Sequence, residues 1–179
     1  MSTEVLIQDT LQVLEYVRGK FPDQSIILLG HAMGGAIATK TLNLIESDMA
    51  GSDLQKSIKG LIVVELTEES ATDALPHMEE VIGNRPTGFP DLKEAIRYAV
   101  MGRMIRDRRS ASVSMPAQLT LITDPETGKD KHVWRTDLRA TMPYWEQWFA
   151  NFNQCFLNVK ENKWLILVNS ETIEDSLYG

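Results

Sequence analysis

Apolar positions along this chain fall into short unbroken runs and longer stretches with helical spacing. Near the start, Ile7, Leu11 and Leu14 share one helical face, with Leu6, Val13 and Val17 beside it, a periodicity that predicts an amphipathic helix. Ser2 or Thr3 can cap it, and Gly19 followed by Pro22 can stop it. Three apolar runs then read as strands buried on both faces: residues 25–29, residues 61–65 within "KGLIVVE", and the run in "KWLILV" near the end. Between the first two lies a glycine-rich turn, a small-residue helix over about 34–45 and the polar stretch "ESDMAGSDLQKS". Strand, turn, helix and strand in that order form a parallel βαβ unit. Its crossover should be right-handed and its ligands should meet the carboxyl ends of the strands.

From about Ala71 to Met115 the pattern is helical, interrupted by the loop signal "GNRPTGFP". Leu119 to Ile122 fits a short strand, and 124–130 is rich in turn residues. Trp145, Trp148, Phe149 and Phe152 then fall on one apolar helical face. The organisation expected is a single domain over 1–179, with a βαβ core in 1–70, a helical region in 71–155 and the last strand in 156–179.

Composition agrees with one globular domain: 179 residues, 43% hydrophobic and 24% charged. A formal net charge of −7 argues against nucleic acid as a partner. Cys155 is the single cysteine, so no internal disulfide can form. The opening "MSTEVLIQDTLQVLEYV" lacks a basic segment ahead of an apolar core, and no apolar run reaches the 18 or so residues needed to cross a bilayer. No cysteine and histidine spacing resembles a zinc site. The expectation is an intracellular, cytoplasmic protein that uses neither metal nor cofactor and does not engage a membrane.

Candidate chemistry concentrates in "GHAMGG", Gly30 to Gly35. A strand running into G-x-S-x-G and then a helix is the nucleophile elbow of an esterase. Here Ala32 stands where the serine would. Gly30, Ala32 and Gly35 also approximate G-x-G-x-x-G, with Glu65 ending the next strand as a ribose-binding acid would, so a dinucleotide-binding domain is the alternative. Against it, Ala32 replaces the glycine that lets backbone approach a pyrophosphate, and Glu65 lies farther along than about 20 residues.

The chain resembles the protein phosphatase methylesterases, members of the α/β-hydrolase superfamily. The stretches that carry the resemblance are "LLGHAMGGAIA", "KGLIVVELTEESATDAL", "RMIRDRRSASVSMP", "YWEQWFANFNQCFL" and "KWLILVNSETIEDSLYG", collinear along nearly the whole chain. The resemblance implies an α/β class: a truncated α/β-hydrolase-like fold, with a short parallel sheet, flanking helices and a helical lid insertion. It matches the central portion of the family. It also implies roles. Ala32 occupies the nucleophile position, Glu65 the acid position where the family has aspartate, and the Met33 N–H an oxyanion donor. Gly30, His31, Gly34 and Gly35 complete the elbow.

The family's substrate is the methylated C-terminus of type 2A phosphatase, so a phosphatase catalytic subunit, or a larger assembly, is the implied protein partner. The segments that carry the family's triad histidine and its oxyanion loop are not matched. His31, His77 and His132 are poor substitutes by position, so no esterase activity is expected.

Two further features bear on partners. Arg97, Arg103, Arg106, Arg108 and Arg109 cluster in an otherwise acidic chain, and Arg103, Arg106 and Arg109 are candidate contacts for an acidic partner or phosphate. A three-stranded parallel sheet also leaves two unpaired edges, which invite a partner or self-association.

Overall fold

The computed structural model describes residues 1–167. Along the chain the elements are α1 (Thr3–Lys20), β1 (Ile26–His31), α2 (Met33–Asp48), α3 (Asp53–Ser57), β2 (Ile58–Val64), α4 (Glu68–Gly83), β3 (Gly88–Phe89), α5 (Leu92–Met101), α6 (Arg108–Ala117), β4 (Leu119–Thr123), β5 (Asp130–Trp134), a 3-10 turn over Arg139–Tyr144, α7 (Trp145–Phe149), α8 (Phe152–Asn158) and β6 (Asn162–Ile166). They fall into two units, Met1–Met78 with the chain from Thr141 onward, and Glu79–Ala140.

In the first unit the sheet order is β1-β2-β6, parallel throughout. Register puts Leu28 level with Leu61, Gly30 with Val63, and Val63 with Leu165. On that face Leu61 and Val63 are wholly buried, in one cluster with Leu14 of α1, Ala36, Ala38, Leu42 and Ile45 of α2, and Phe152 and Phe156 of α8. Each large side chain so buried contributes about 1.5–3 kcal/mol.

Local sequence explains how the helices are set. Ser52 caps α3 by accepting the Gln55 N–H at 3.1 Å. Ahead of α4, Thr67 and Ser70 satisfy each other reciprocally: the Thr67 N–H donates to Ser70 Oγ at 3.0 Å and the Ser70 N–H to Thr67 Oγ1 at 3.1 Å. The predicted aromatic helix is two helices. Asn151, left-handed at φ 59°, breaks it between α7 and α8, and the Glu68 carboxylate accepts the Asn151 N–H at 2.8 Å and the Asn153 N–H at 3.3 Å. Donors that a continuous helix would have bonded internally are thereby satisfied by one carboxylate.

The second unit pairs an antiparallel sheet, order β3-β5-β4, with α5 and α6. Its core is Phe89, Ala95, Ala99, Met115 and Leu119, flanked by Tyr98 and Trp134. The Trp134 ring meets Phe89 edge-on at 5.5 Å, donates from Nε1 to the Pro86 carbonyl at 2.8 Å and carries the Arg85 guanidinium over its face at 3.6 Å. The predicted strand over 119–122 is β4. Its partner β5 was not expected, because "DKHVW" carries Asp130, Lys131 and His132 in place of an apolar run. The hairpin turn between them is organised by Asp124, whose carboxylate pairs with Lys131 and accepts the Glu126 N–H at 2.9 Å. The bond from Lys131, and then the backbone N–H groups of Glu126 and Thr127, lower its pKa to about 2.

Strand β2 begins at Ile58, three residues ahead of the predicted start, because Ile58 is buried and pairs with Ile26 across a register irregularity in β1. Val168, the end of the predicted third strand, lies with 169–179 outside the described residues.

Candidate functional site

At the end of β1 the backbone turns sharply. Ala32 has φ 47° and ψ −121°, a conformation that an L side chain occupies at a cost of order 1–3 kcal/mol. Its N–H donates to the Val64 carbonyl at 2.9 Å, while its own carbonyl accepts the N–H groups of Gly35 at 2.8 Å and Ala36 at 3.2 Å. One residue therefore ends the strand ladder and starts α2. Its side chain is a half-buried methyl group at the carboxyl edge of the sheet.

The glycines of the elbow are not equivalent. A Cβ on Gly30 would lie 2.4 Å from the Gly34 carbonyl oxygen and 2.5 Å from the Gly35 Cα, and one on Gly35 would lie 2.7 Å from Val63 Cγ1. These two glycines let α2 press against β1 and β2. A Cβ on Gly34 would meet nothing within 4 Å, so the second glycine of G-x-A-x-G is not required by packing.

Glu65 occupies the corresponding place one strand over. It follows β2 with φ 54°, and its N–H donates to the Ile166 carbonyl at 2.8 Å. The register His31 with Val64 sets Ala32 and Glu65 side by side at the carboxyl ends of neighbouring parallel strands, where an open α/β sheet binds its ligands. Both strand ends thus have the same form: a left-handed residue whose N–H extends the ladder by one bond. Met33 opens α2, so its N–H belongs to the first turn, which has no acceptor within the helix. His31 is exposed on β1, His77 is exposed on α4, and His132 lies on β5 in the second unit with its Nδ1 buried and lacking a protein partner.

Sequence spacing brought Ala32, Met33 and Glu65 to one locus, and the structure places them there together. Strain at Ala32 is what an elbow position after a strand demands, whereas that at Glu65 had no signal in the sequence, since glutamate does not advertise a positive φ. The arginines belong to the second unit. Arg103, at φ 55°, and Arg106 are exposed in the α5–α6 loop, and Arg109 is exposed in the first turn of α6. Lys93 joins Arg97 and Arg108 in lining a groove there, a grouping signalled by the four-residue spacing of Lys93 and Arg97. Among the described residues no group of three or more His, Cys, Asp or Glu could hold a metal ion. None of the described helices is long and apolar enough to cross a membrane.

No family model matches the chain. It is similar to protein phosphatase methylesterase 1 of Candida albicans, 37% identical over 176 residues, covering 98% of this chain and 44% of the relative. The same-named protein of Schizosaccharomyces pombe is 34% identical over 181 residues, covering 99% and 48%. The chain thus spans a little under half the length of these relatives. Among solved structures, E-2-(acetamidomethylene)succinate hydrolase matches with a TM-score of 0.65 at 13% identity, over 92% of this chain and 54% of that one. A thioesterase domain from the curacin biosynthetic pathway matches at 0.58 and 19%, over 93% and 57%. These neighbours carry the fold argument, and none of it favours the dinucleotide-binding alternative. Over nearly its entire length, this α/β-hydrolase-fold chain is similar in sequence to a part, a little under half, of the protein phosphatase methylesterases.

Proposed function

We propose that this chain is a catalytically silent relative of the methylesterases that keeps a protein-binding role toward a type 2A phosphatase catalytic subunit. The observation that carries the reading is Ala32 itself. Ester hydrolysis through an elbow needs a nucleophilic oxygen at the strained position, and a methyl group supplies none. Loss of the serine from such a site costs on the order of a millionfold in turnover. The strained φ of 47° is nevertheless kept. Backbone strain without chemistry to exploit it is what an inherited elbow would look like.

Two measurements test the halves of the proposal separately. Incubation with a fluorophosphonate probe and with a methyl-esterified phosphatase tail peptide should give neither labelling nor methanol release above a no-protein control. Labelling of the chain, or release above that control, would end the silent reading. For binding, the immobilised chain should retain purified phosphatase catalytic subunit through a salt wash. Quantitative loss of the subunit in that wash would remove the partner.

A further inference from the structure

Charge is divided unevenly between the two units. Residues 79–140 carry eleven Lys and Arg against nine Asp and Glu, a net +2, whereas the rest of the chain is −9. The excess gathers at α5 and α6: Lys93, Arg97, Arg103, Arg106, Arg108 and Arg109, with only Glu94 and Asp107 among them.

Three of these cations line one cavity of about 360 Å³. Helix α5 contributes Lys93, Arg97 and Met101 along one four-residue ridge and Ile96 and Val100 along the next, while α6 contributes Arg108 and Ser112. Below it the two helices are sealed by Ala95, Ala99, Ala111 and Met115, all wholly buried, so the recess is a surface groove with an apolar floor.

No carboxylate lines the groove. Glu94 pairs with Arg97, and Asp107 caps α6 by accepting the Ser110 N–H at 2.7 Å. Arg108 and Arg109 sit in the first turn of α6, where positive charge opposes the helix dipole. Helix stability therefore does not account for them. Met101 is 76% exposed at the groove, and methionine is the apolar side chain that adapts most readily to a docked partner.

We propose that this groove docks an acidic peptide segment of a partner protein. One apolar side chain of the segment enters between α5 and α6 over Ile96 and Val100, while its carboxylates meet Lys93, Arg97 and Arg108. A recess of this size takes a side chain or two, which favours a peptide over a lipid surface. Clustered exposed charges act mainly through encounter rate and selectivity, so the interaction should be strongly salt-dependent. The inference goes beyond the silent-elbow reading and does not depend on it.

The test is fluorescence anisotropy of the whole chain with a fluorescein-labelled peptide of alternating glutamates and leucines, against a matched lysine and leucine peptide. The acidic probe should bind at least about tenfold more tightly, and added salt should weaken it. The Arg97→Glu/Arg108→Glu double variant should weaken binding by about tenfold or more with an unchanged circular dichroism melt. Met101→Ser should weaken it several-fold. If the double variant melts early, Lys93→Gln/Arg108→Gln, which leaves the Arg97 and Glu94 pair intact, reads the same loss. Equal binding of the two peptides, or wild-type affinity in a folded charge variant, overturns the proposal. So does displacement of the acidic probe by phosphatidylserine-containing vesicles but not by unlabelled peptide, which would assign the groove to a membrane.

Discussion

The two faces of the parallel sheet are built from the same kinds of residue and have opposite fates. On one, Leu28, Leu61 and Val63 are 8%, 0% and 0% exposed beneath α1, α2 and α8. On the other, Ile27, Leu29, Trp164 and Ile166 are 57%, 67%, 50% and 51% exposed. Alternating residues of β1 and β6 thus differ only in what lies over them. Parallel strands are apolar on both sides because both sides are ordinarily covered. Among the described residues, the tight packing of this sheet lies on the first face, and the exposed apolar side chains that could favour association lie on the second.

The sharpest way to break this comparison is at the elbow, where the covered face is tightest. Gly30→Ala would drive a Cβ to 2.4 Å from the Gly34 carbonyl oxygen, against backbone that cannot rotate away. Gly35→Val would collide with Val63. Each should destabilise by about 3 kcal/mol or more and leave little folded protein. Gly34→Ala points into open space and sits in a helix, where alanine is the better helix former. It should be neutral or slightly stabilising. Thermal melts of the three variants check this, and a loss at Gly34 equal to that at Gly30 would contradict the packing assigned to the elbow.

One step smaller is the contrast between neighbouring strands. Leu61→Ala removes a wholly buried side chain and should cost about 3 kcal/mol. Leu29→Lys exchanges a side chain already two-thirds exposed on an edge strand and should cost less than about 1 kcal/mol. Lysine on an edge also opposes strand addition. Light scattering of the concentrated protein should therefore show less self-association for Leu29→Lys than for wild type. Denaturant melts in which the two variants lose equal stability would show that the faces are energetically alike.

How much of this was legible depended on the residue. The unbroken run Ile26 to Leu29, followed by glycines and small residues, announced strand, turn and helix because few other structures tolerate that order. Ala32 and Glu65 could be brought to one edge of the sheet for the same reason. The open face could not be read, because an apolar run carries no alternation to say which side is covered. Strand β5 stayed hidden because pairing with β4 and the Asp124 turn hold polar residues in a ladder, context overriding propensity. The break at Asn151 depended on a carboxylate more than 80 residues away, Glu68, which local pattern cannot register. Gly34 and Gly35 look interchangeable in sequence, and only the approach of Val63 separates them.

The smallest expected effect concerns the helices that cover the first face. Near the end of α2, Glu46 accepts the Lys160 N–H at 3.0 Å, and the next residue, Glu161, leads into β6 with its Oε2 buried and lacking a protein hydrogen bond. Burial raises the Glu161 pKa, and the neighbouring Glu46 carboxyl raises it further. The sign follows from linkage. With its pKa higher folded than unfolded, Glu161 holds its proton more readily in the native state, so its contribution to stability declines as pH rises through that window. Ionised at neutral pH, it is a cost to the fold. Glu161→Gln keeps the shape without the charge and should stabilise the protein at pH 7, by less than about 1 kcal/mol because the site is only partly buried. The gain should shrink toward zero as the buffer is acidified past the ordinary carboxylate range, where Glu161 is neutral as well. Paired melts of wild type and variant at both pH values decide it. A variant less stable at pH 7, or a gain that persists in acid, would mean that packing of the glutamine and not relief of like charge sets the difference.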